Sequence, residues 1–371
     1  MISKENKHLN YSEEVITIHS YKKVRPPFTI NKENLQPLSN ISNLPGINVI
    51  YNCPKEIKPN LIKVKILKAK RKKITPHPTN KNYFIPPRKE RAPHISKMEL
   101  KFVGNPQYLT DYSSEIFKNL KEQELINNPN YEVLQQNQKE ITENAREILI
   151  NWLTQVQFKF ELLTETLFLT INIIDRYIEK NENFPLKKYQ LVGMASMLIA
   201  SKYEEIYPPE VRDFVHITKG AITSEDILNM EYKIMVALDF EVLTVSPYVC
   251  MQRYSFIAGN TEEGFYLSQM LLELMNRNIN VMKFPNSLRA ACAVYLSRKL
   301  LKGERKITGE LWNFELKFYT GYDVKDMTDI IKANSVMFKK LVKDYKKGKE
   351  NATIDKFKYI QYYNVSEYLF E

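Results

Sequence analysis

Histidine, glycine and cysteine are scarce in this chain, and their scarcity removes whole classes of chemistry. Five histidines occur in 371 residues, and only His216 falls beyond the first hundred. Metal ligation by His and Cys, and nucleophilic catalysis by a Ser/His or Cys/His arrangement, are therefore not expected. Cys53, Cys250 and Cys292 lie far apart and form neither a CxxC pair nor a disulfide framework. The ten glycines build no phosphate-cradling loop. Acidic residues are plentiful, yet no spacing among them marks a carboxylate pair for acid/base work. No signal-peptide pattern opens the chain and no apolar run is long enough to span a bilayer, so a soluble intracellular protein is expected, without metal or cofactor.

Positive charge is unevenly placed. The net charge is +11, but residues 1–100 hold 20 Lys and Arg against 7 Asp and Glu, while the remainder sums to −2. Residues 1–104 lack sustained periodicity, are punctuated by Pro, Asn and Ser, and read as a disordered basic tail. Its densest stretch, Lys63 to Lys73, is followed by Thr75-Pro76. This has the composition of a nuclear import signal beside a proline-directed phosphorylation site, and equally that of a solvated linker.

Helical patterning starts near Thr110, and no strand pattern appears in residues 105–348. Leu191 to Ser201 carries no charge and is rich in small residues: Gly193, Ala195, Ser196, Ala200 and Ser201. A helix apolar on every side belongs inside a protein. It surfaces at Lys202, Tyr203, Glu204 and Glu205 and is stopped by Pro208-Pro209. Around it the spacing predicts helices over Thr142–Phe160, Leu163–Lys180, Glu210–Thr218 and Thr223–Leu238, preceded by an amphipathic segment from Asp111 to Gln123. Five more follow, over Pro247–Ala258, Glu262–Asn276, Ser287–Leu301, Gly309–Tyr319 and Asp323–Lys347. The middle one repeats the small-residue character of the first core helix, and a shift of 96 residues lays Ser297 on Ser201 and Arg298 on Lys202. The expected architecture is all-α: a tail (1–104), two tandem five-helix domains (105–244 and 245–348) and an aromatic C-terminal extension (349–371) that packs on them.

The segments AREILINWLTQVQFKF, ETLFLTINIIDRYIE, YQLVGMASMLIASKYEEIYPPEV and MEYKIMVALDFEV resemble a cyclin box, and more narrowly that of a G2/mitotic, B-type cyclin. The match runs from Ala145 to Val242; over the second domain only the architecture is similar. The resemblance implies a regulatory subunit with no catalysis of its own, which binds and activates a cyclin-dependent protein kinase in nucleus and cytoplasm. It places polar kinase contacts at Lys202 and Glu231, and an apolar bed at Ile199, Tyr203, Met235, Phe240 and Val242. Without the family match, Lys202 and Glu231 would be an ordinary solvated pair worth at most about 1 kcal/mol. Arg146 and Asp175, each against the apolar face of its helix, correspond to a buried structural ion pair.

The resemblance also implies a docking patch for Arg-x-Leu segments of substrates or inhibitors, formed by Ile148, Leu149, Trp152, Gln155 and Gln190. Ala145 stands where a larger methionine is usual, and Gln155 where A-type members carry the acid that meets the arginine. Weaker or differently selective docking is therefore expected. On pattern alone, Ile148 and Leu149 could simply face the core.

Turnover is the last implication. The triplet Lys-Glu-Asn, a recognition signal of the anaphase-promoting ubiquitin ligase, occurs at Lys4, Glu5 and Asn6, at Lys32, Glu33 and Asn34, and at Lys349–Asn351. Composition alone gives roughly 0.3 copies by chance. Two alternatives remain: an A-type or transcriptional cyclin, and the initiation factor of the same double fold that bridges polymerase and promoter. The latter carries an N-terminal zinc ribbon and needs basic helical domains. One tail cysteine and a sum of −2 over 101–371 argue against it, so no nucleic-acid or membrane partner is expected.

Overall fold

A computed structural model describes residues 95–105, 108–124 and 126–370. Among the described residues there are fourteen α-helices and no strand. They are α1 (Ser113–Gln123), α2 (Tyr131–Asn137), α3 (Glu143–Lys159), α4 (Thr164–Glu179), α5 (Tyr189–Glu204), α6 (Val211–Ile217) and α7 (Ser224–Ala237), followed by α8 (Pro247–Ile257), α9 (Glu262–Met275), α10 (Ile279–Met282), α11 (Asn286–Leu301), α12 (Phe314–Thr320), α13 (Val324–Lys346) and α14 (Ala352–Lys356). The all-α, two-box architecture expected from the spacing is what the chain adopts. α3 to α7 make the first box; α8, α9 and α11 to α13 make the second, with the single-turn α10 inserted.

Each box is wrapped around its small-residue helix. Val192 to Ser201 of α5 is buried without interruption, and so is Leu288 to Ser297 of α11. Gly193 shows why small residues are needed there. A Cβ at this position would stand 3.0 Å from a methyl carbon of the fully buried Leu149, so an added side chain would force Leu149 to shift. Side-chain caps set the helix starts. The Thr142 hydroxyl accepts from the Ala145 N–H at 3.2 Å, and Thr223 with Asp226, and Asp323 with Asp326, form reciprocal capping boxes at α7 and α13.

Three features depart from the sequence expectation. α2 follows the Asn127–Asn130 break: Asn130 caps it by accepting from the N–H groups of Glu132 and Val133, and Tyr131 and Leu134 anchor it in the core. α12 begins at Phe314 rather than Gly309, because the Asn313 side chain accepts from the Leu316 N–H and resets the start. Finally, the fold begins before residue 105. A short 3-10 helix over Glu99–Phe102 buries Glu99, whose carboxylate accepts from Arg253 of α8 at 3.1 Å. The basic run and the two tail copies of Lys-Glu-Asn lie outside the described residues.

The C-terminal extension lies across both boxes. The Ala352 N–H donates to Asn151 of α3 at 2.9 Å. Lys356, fully buried, pairs with Glu273 of α9 at 2.7 Å and donates to Gln157 of α3 at 3.2 Å. Phe357 and Val365 are fully buried beside them.

Candidate interaction surface

α5 leaves the core at its C-terminus, and that exit fixes the surface. Lys202 reaches the Glu231 carboxylate of α7 at 2.7 Å, with both side chains still in contact with solvent. Tyr203, next in sequence, is exposed, as are Ile206 and Tyr207 in the turn that follows. α7 carries two apolar stripes. Ile227, Met230 and Ile234 face the core, whereas Leu228, Tyr232 and Val236 are exposed on the opposite side, with Glu231 and the half-buried Met235 between them. The outward set recurs at i, i+3, i+4, i+7 and i+8, which is one helix face. A helix with a second, solvent-facing apolar stripe has a hydrophobic face unmatched among the described residues, the mark of an interaction site.

Backbone strain extends this face. Asp239 and Phe240 both adopt the left-handed region, with φ of 52° and 60°. This costs of order 1–3 kcal/mol per non-glycine residue. The Phe240 N–H donates to the Met235 carbonyl at 2.9 Å, closing the end of α7 and leaving the Phe240 ring 65% exposed. Leu243, also exposed, is held from behind: its carbonyl accepts from the Asn127 amide, and Asn127 in turn accepts from Arg176 and Asn172. Of the expected apolar bed, Tyr203, Phe240 and partly Met235 are presented to solvent. Ile199 and Val242 are buried in the core of the first box. The outward residues Leu228, Tyr232, Val236 and Leu243 were not singled out from sequence, although the double stripe in α7 is visible there.

The second candidate face, on α3, is shallower. Ile148, Gln155 and Gln190 are half-buried. Leu149 is wholly enclosed against Gly193, so it is a core residue, and any ligand could meet it only from above. Trp152 is buried too, yet its indole N–H has no acceptor, and the Gln190 side-chain NH2 has none either. Each unmet donor is costly, at roughly 1–3 kcal/mol.

Arg146 and Asp175 form the buried pair. Arg146 donates through Nε and one terminal nitrogen to the two Asp175 oxygens, at 2.9 and 2.7 Å. Its other terminal nitrogen donates to the Asn276 carbonyl of the second box at 2.8 Å, and the Tyr131 hydroxyl donates to Asp175 at 3.1 Å. Burial alone would lower the Arg146 pKa; the Asp175 charge and hydrogen bonds outweigh it and raise it. Burial, followed by the Asp175 charge, pushes the Tyr131 phenol well up.

Among the described residues no three His, Cys, Asp or Glu side chains are grouped to hold a metal, and no helix is long and apolar enough to cross a membrane. Cys250 and Cys292 are buried, and desolvation raises both thiols, Cys250 to about 12, so neither is poised as a nucleophile. Of the Lys-Glu-Asn copies, the third is described. Asn351 is buried and caps α14 by accepting from the Ile354 N–H at 3.0 Å, so this copy is not available as a free peptide.

Comparison with known proteins gives a consistent picture. Residues 115–243 match the family model described as "Cyclin, N-terminal domain", and residues 245–369 match "Cyclin, C-terminal domain". A G2/mitotic-specific cyclin-B of Dictyostelium discoideum is 37% identical over 218 residues, 59% of this chain and 49% of that protein. A G2/mitotic-specific cyclin-B1 of Anguilla japonica is 39% identical over 229 residues (62% and 55%). Cyclin-B2-1 of Oryza sativa subsp. japonica is 43% identical over 197 residues (53% and 46%). The chain thus spans about half the length of the curated relatives it matches. The crystal structure of a viral cyclin from herpesvirus saimiri shares the fold, with a TM-score of 0.52 and 20% identity over 59% of this chain and 95% of that one.

Proposed function

As the chain belongs to the cyclin family, whose two domain models cover residues 115–243 and 245–369, we propose that it is a non-catalytic regulatory subunit that binds and switches on a cyclin-dependent protein kinase, in the manner of a mitotic B-type member. The observation that carries this reading is the unmatched apolar face of α7 beside the Lys202–Glu231 pair. An active kinase needs the glutamate of its αC helix turned inward to pair with the lysine that holds ATP phosphates. A rigid helical surface that grips αC can enforce this orientation. Tyr203, Leu228, Tyr232, Val236 and Phe240 supply buried contact area on binding, and Lys202 and Glu231 fix its register.

The test is reconstitution. Lys202→Ala/Glu231→Ala and Phe240→Ala are expected to leave helical content and thermal unfolding unchanged, since these side chains reach solvent, and to lower kinase activation by at least tenfold. Full activation by both variants would refute the assignment.

The finer roles are part of the same proposal. The Trp152–Gln190 face docks short substrate segments, a role supported by its two unmet donors, which a peptide backbone carbonyl would satisfy. Removal proceeds through ubiquitin-dependent proteolysis read at Lys32–Asn34 and Lys4–Asn6, and the basic run directs part of the protein to the nucleus. Both of these elements belong to the tail.

A further inference from the structure

The C-terminal extension adds something to the α3 face that the sequence did not suggest. The ring of Phe158, one turn beyond Gln155, packs on Tyr359 at 5.3 Å between centroids. Beside it Ile360 is 87% exposed, a higher value than for any other large apolar side chain among the described residues, and Tyr359 is 54% exposed. The backbone holds them out under strain. Tyr363 and Asn364 are both left-handed, with φ of 56° and 50°, and the N–H groups of Tyr362 and Asn364 both return to the Tyr359 carbonyl. Strain in two consecutive non-glycine residues persists only where the surroundings over-determine it. Here they do: Phe357 packs on Tyr362, and Lys356 is bolted to Glu273 just before the loop.

On α3, Trp152, Gln155 and Phe158 succeed one another at i, i+3 and i+6, so their side chains form one continuous ridge with Cβ atoms about 5–6 Å apart. The apolar loop is therefore continuous with the docking face, at the end where an acid would meet an arginine. That end carries the neutral Gln155 and an aromatic wall. An arginine placed there would lose hydration and meet ring faces without the carboxylate that Gln155 replaces, whereas an aromatic or aliphatic side chain would bury area against three apolar groups.

We propose that Phe158, Tyr359 and Ile360 form an apolar subsite of the docking groove, and that this protein selects partner segments carrying a large apolar residue, rather than arginine, two positions before the leucine. The proposal rests on the docking role assigned above to Trp152 and Gln190. The C-terminal extension thereby becomes part of the recognition surface as well as a structural strap.

The experiment measures binding of fluorescent eleven-residue peptides to the full chain, comparing Arg-x-Leu, Phe-x-Leu and Ala-x-Ala versions of one sequence. Phe-x-Leu is expected to bind about tenfold more tightly than Arg-x-Leu. Ile360→Ser and Tyr359→Ser, both at solvent-exposed positions, are expected to weaken Phe-x-Leu about fivefold and leave Arg-x-Leu unchanged, while Trp152→Ala weakens both. Tighter binding of Arg-x-Leu, or an unchanged Phe-x-Leu affinity in the Ile360 and Tyr359 variants, overturns the subsite and leaves the docking role standing. If no peptide binds better than Ala-x-Ala, both the subsite and the docking role fall.

Discussion

Arg146→Ala is expected to destabilise the protein by about 3–5 kcal/mol, because it strands the Asp175 carboxylate in a site with no access to water. At roughly 2–4 °C per kcal/mol for a chain of this folded size, the unfolding midpoint should fall by roughly 10 °C. Two features distinguish this from simple loss of a contact. The Asn276 carbonyl also loses its donor, so both boxes are affected and calorimetry should show the shift in the whole transition. The double variant Arg146→Met/Asp175→Leu removes both charges and should recover part of the loss. Recovery should be incomplete, since the Asn276 carbonyl and the Tyr131 hydroxyl remain unpartnered, at roughly 1–3 kcal/mol each. A single variant with wild-type stability would mean that water reaches Asp175 and that the pair is not structural.

What could be read from the sequence, and what could not, follows the range of the interactions. The uncharged stretch Leu191–Ser201 of α5 and the small-residue run of α11 are legible because burial on all sides leaves a composition signal within eleven residues. The duplication is legible for the same reason, yet it misleads at one position. Arg298 occupies the place of Lys202 but turns inward, donating to the carbonyls of Leu311 and Ala258, whereas Lys202 reaches Glu231 at the surface. Only the neighbouring loops decide between these fates. α2 was missed because it follows the Asn127–Asn130 break directly and buries only Tyr131 and Leu134, two positions that show no period. Glu99 sits in a stretch that reads as tail, and nothing local shows that its partner, Arg253, lies 154 residues away. At the candidate surface the charged pair came from resemblance, while the outward stripe of α7 was present in the periodicity and needed the structure to show that no described residue covers it.

Lys356 is the extreme case of a long-range partner, and its replacement gives the second large expected effect. A lysine in an aromatic C-terminal segment gives no sign of burial in the sequence; it is buried because Glu273, Gln157 and the Gln269–Glu273 hydrogen bond enclose its ammonium group. Lys356→Met retains the stem volume and removes the charge, leaving Glu273 buried with only the Gln269 amide as donor. The expected loss is again about 3–5 kcal/mol. Adding Glu273→Leu should restore part of it by removing the stranded charge, while the buried Gln157 carbonyl stays without its donor. The loss should be spatially graded. Hydrogen exchange over residues 352–369 should rise first, since Ile354, Phe357 and Val365 depend on the strap being seated, while the α5 core keeps its protection. Uniform exchange across the chain would instead show that the extension and the two boxes unfold as one unit. If Lys356→Met exchanged and melted like wild type, the Lys356–Glu273 pair would not be what fastens the extension.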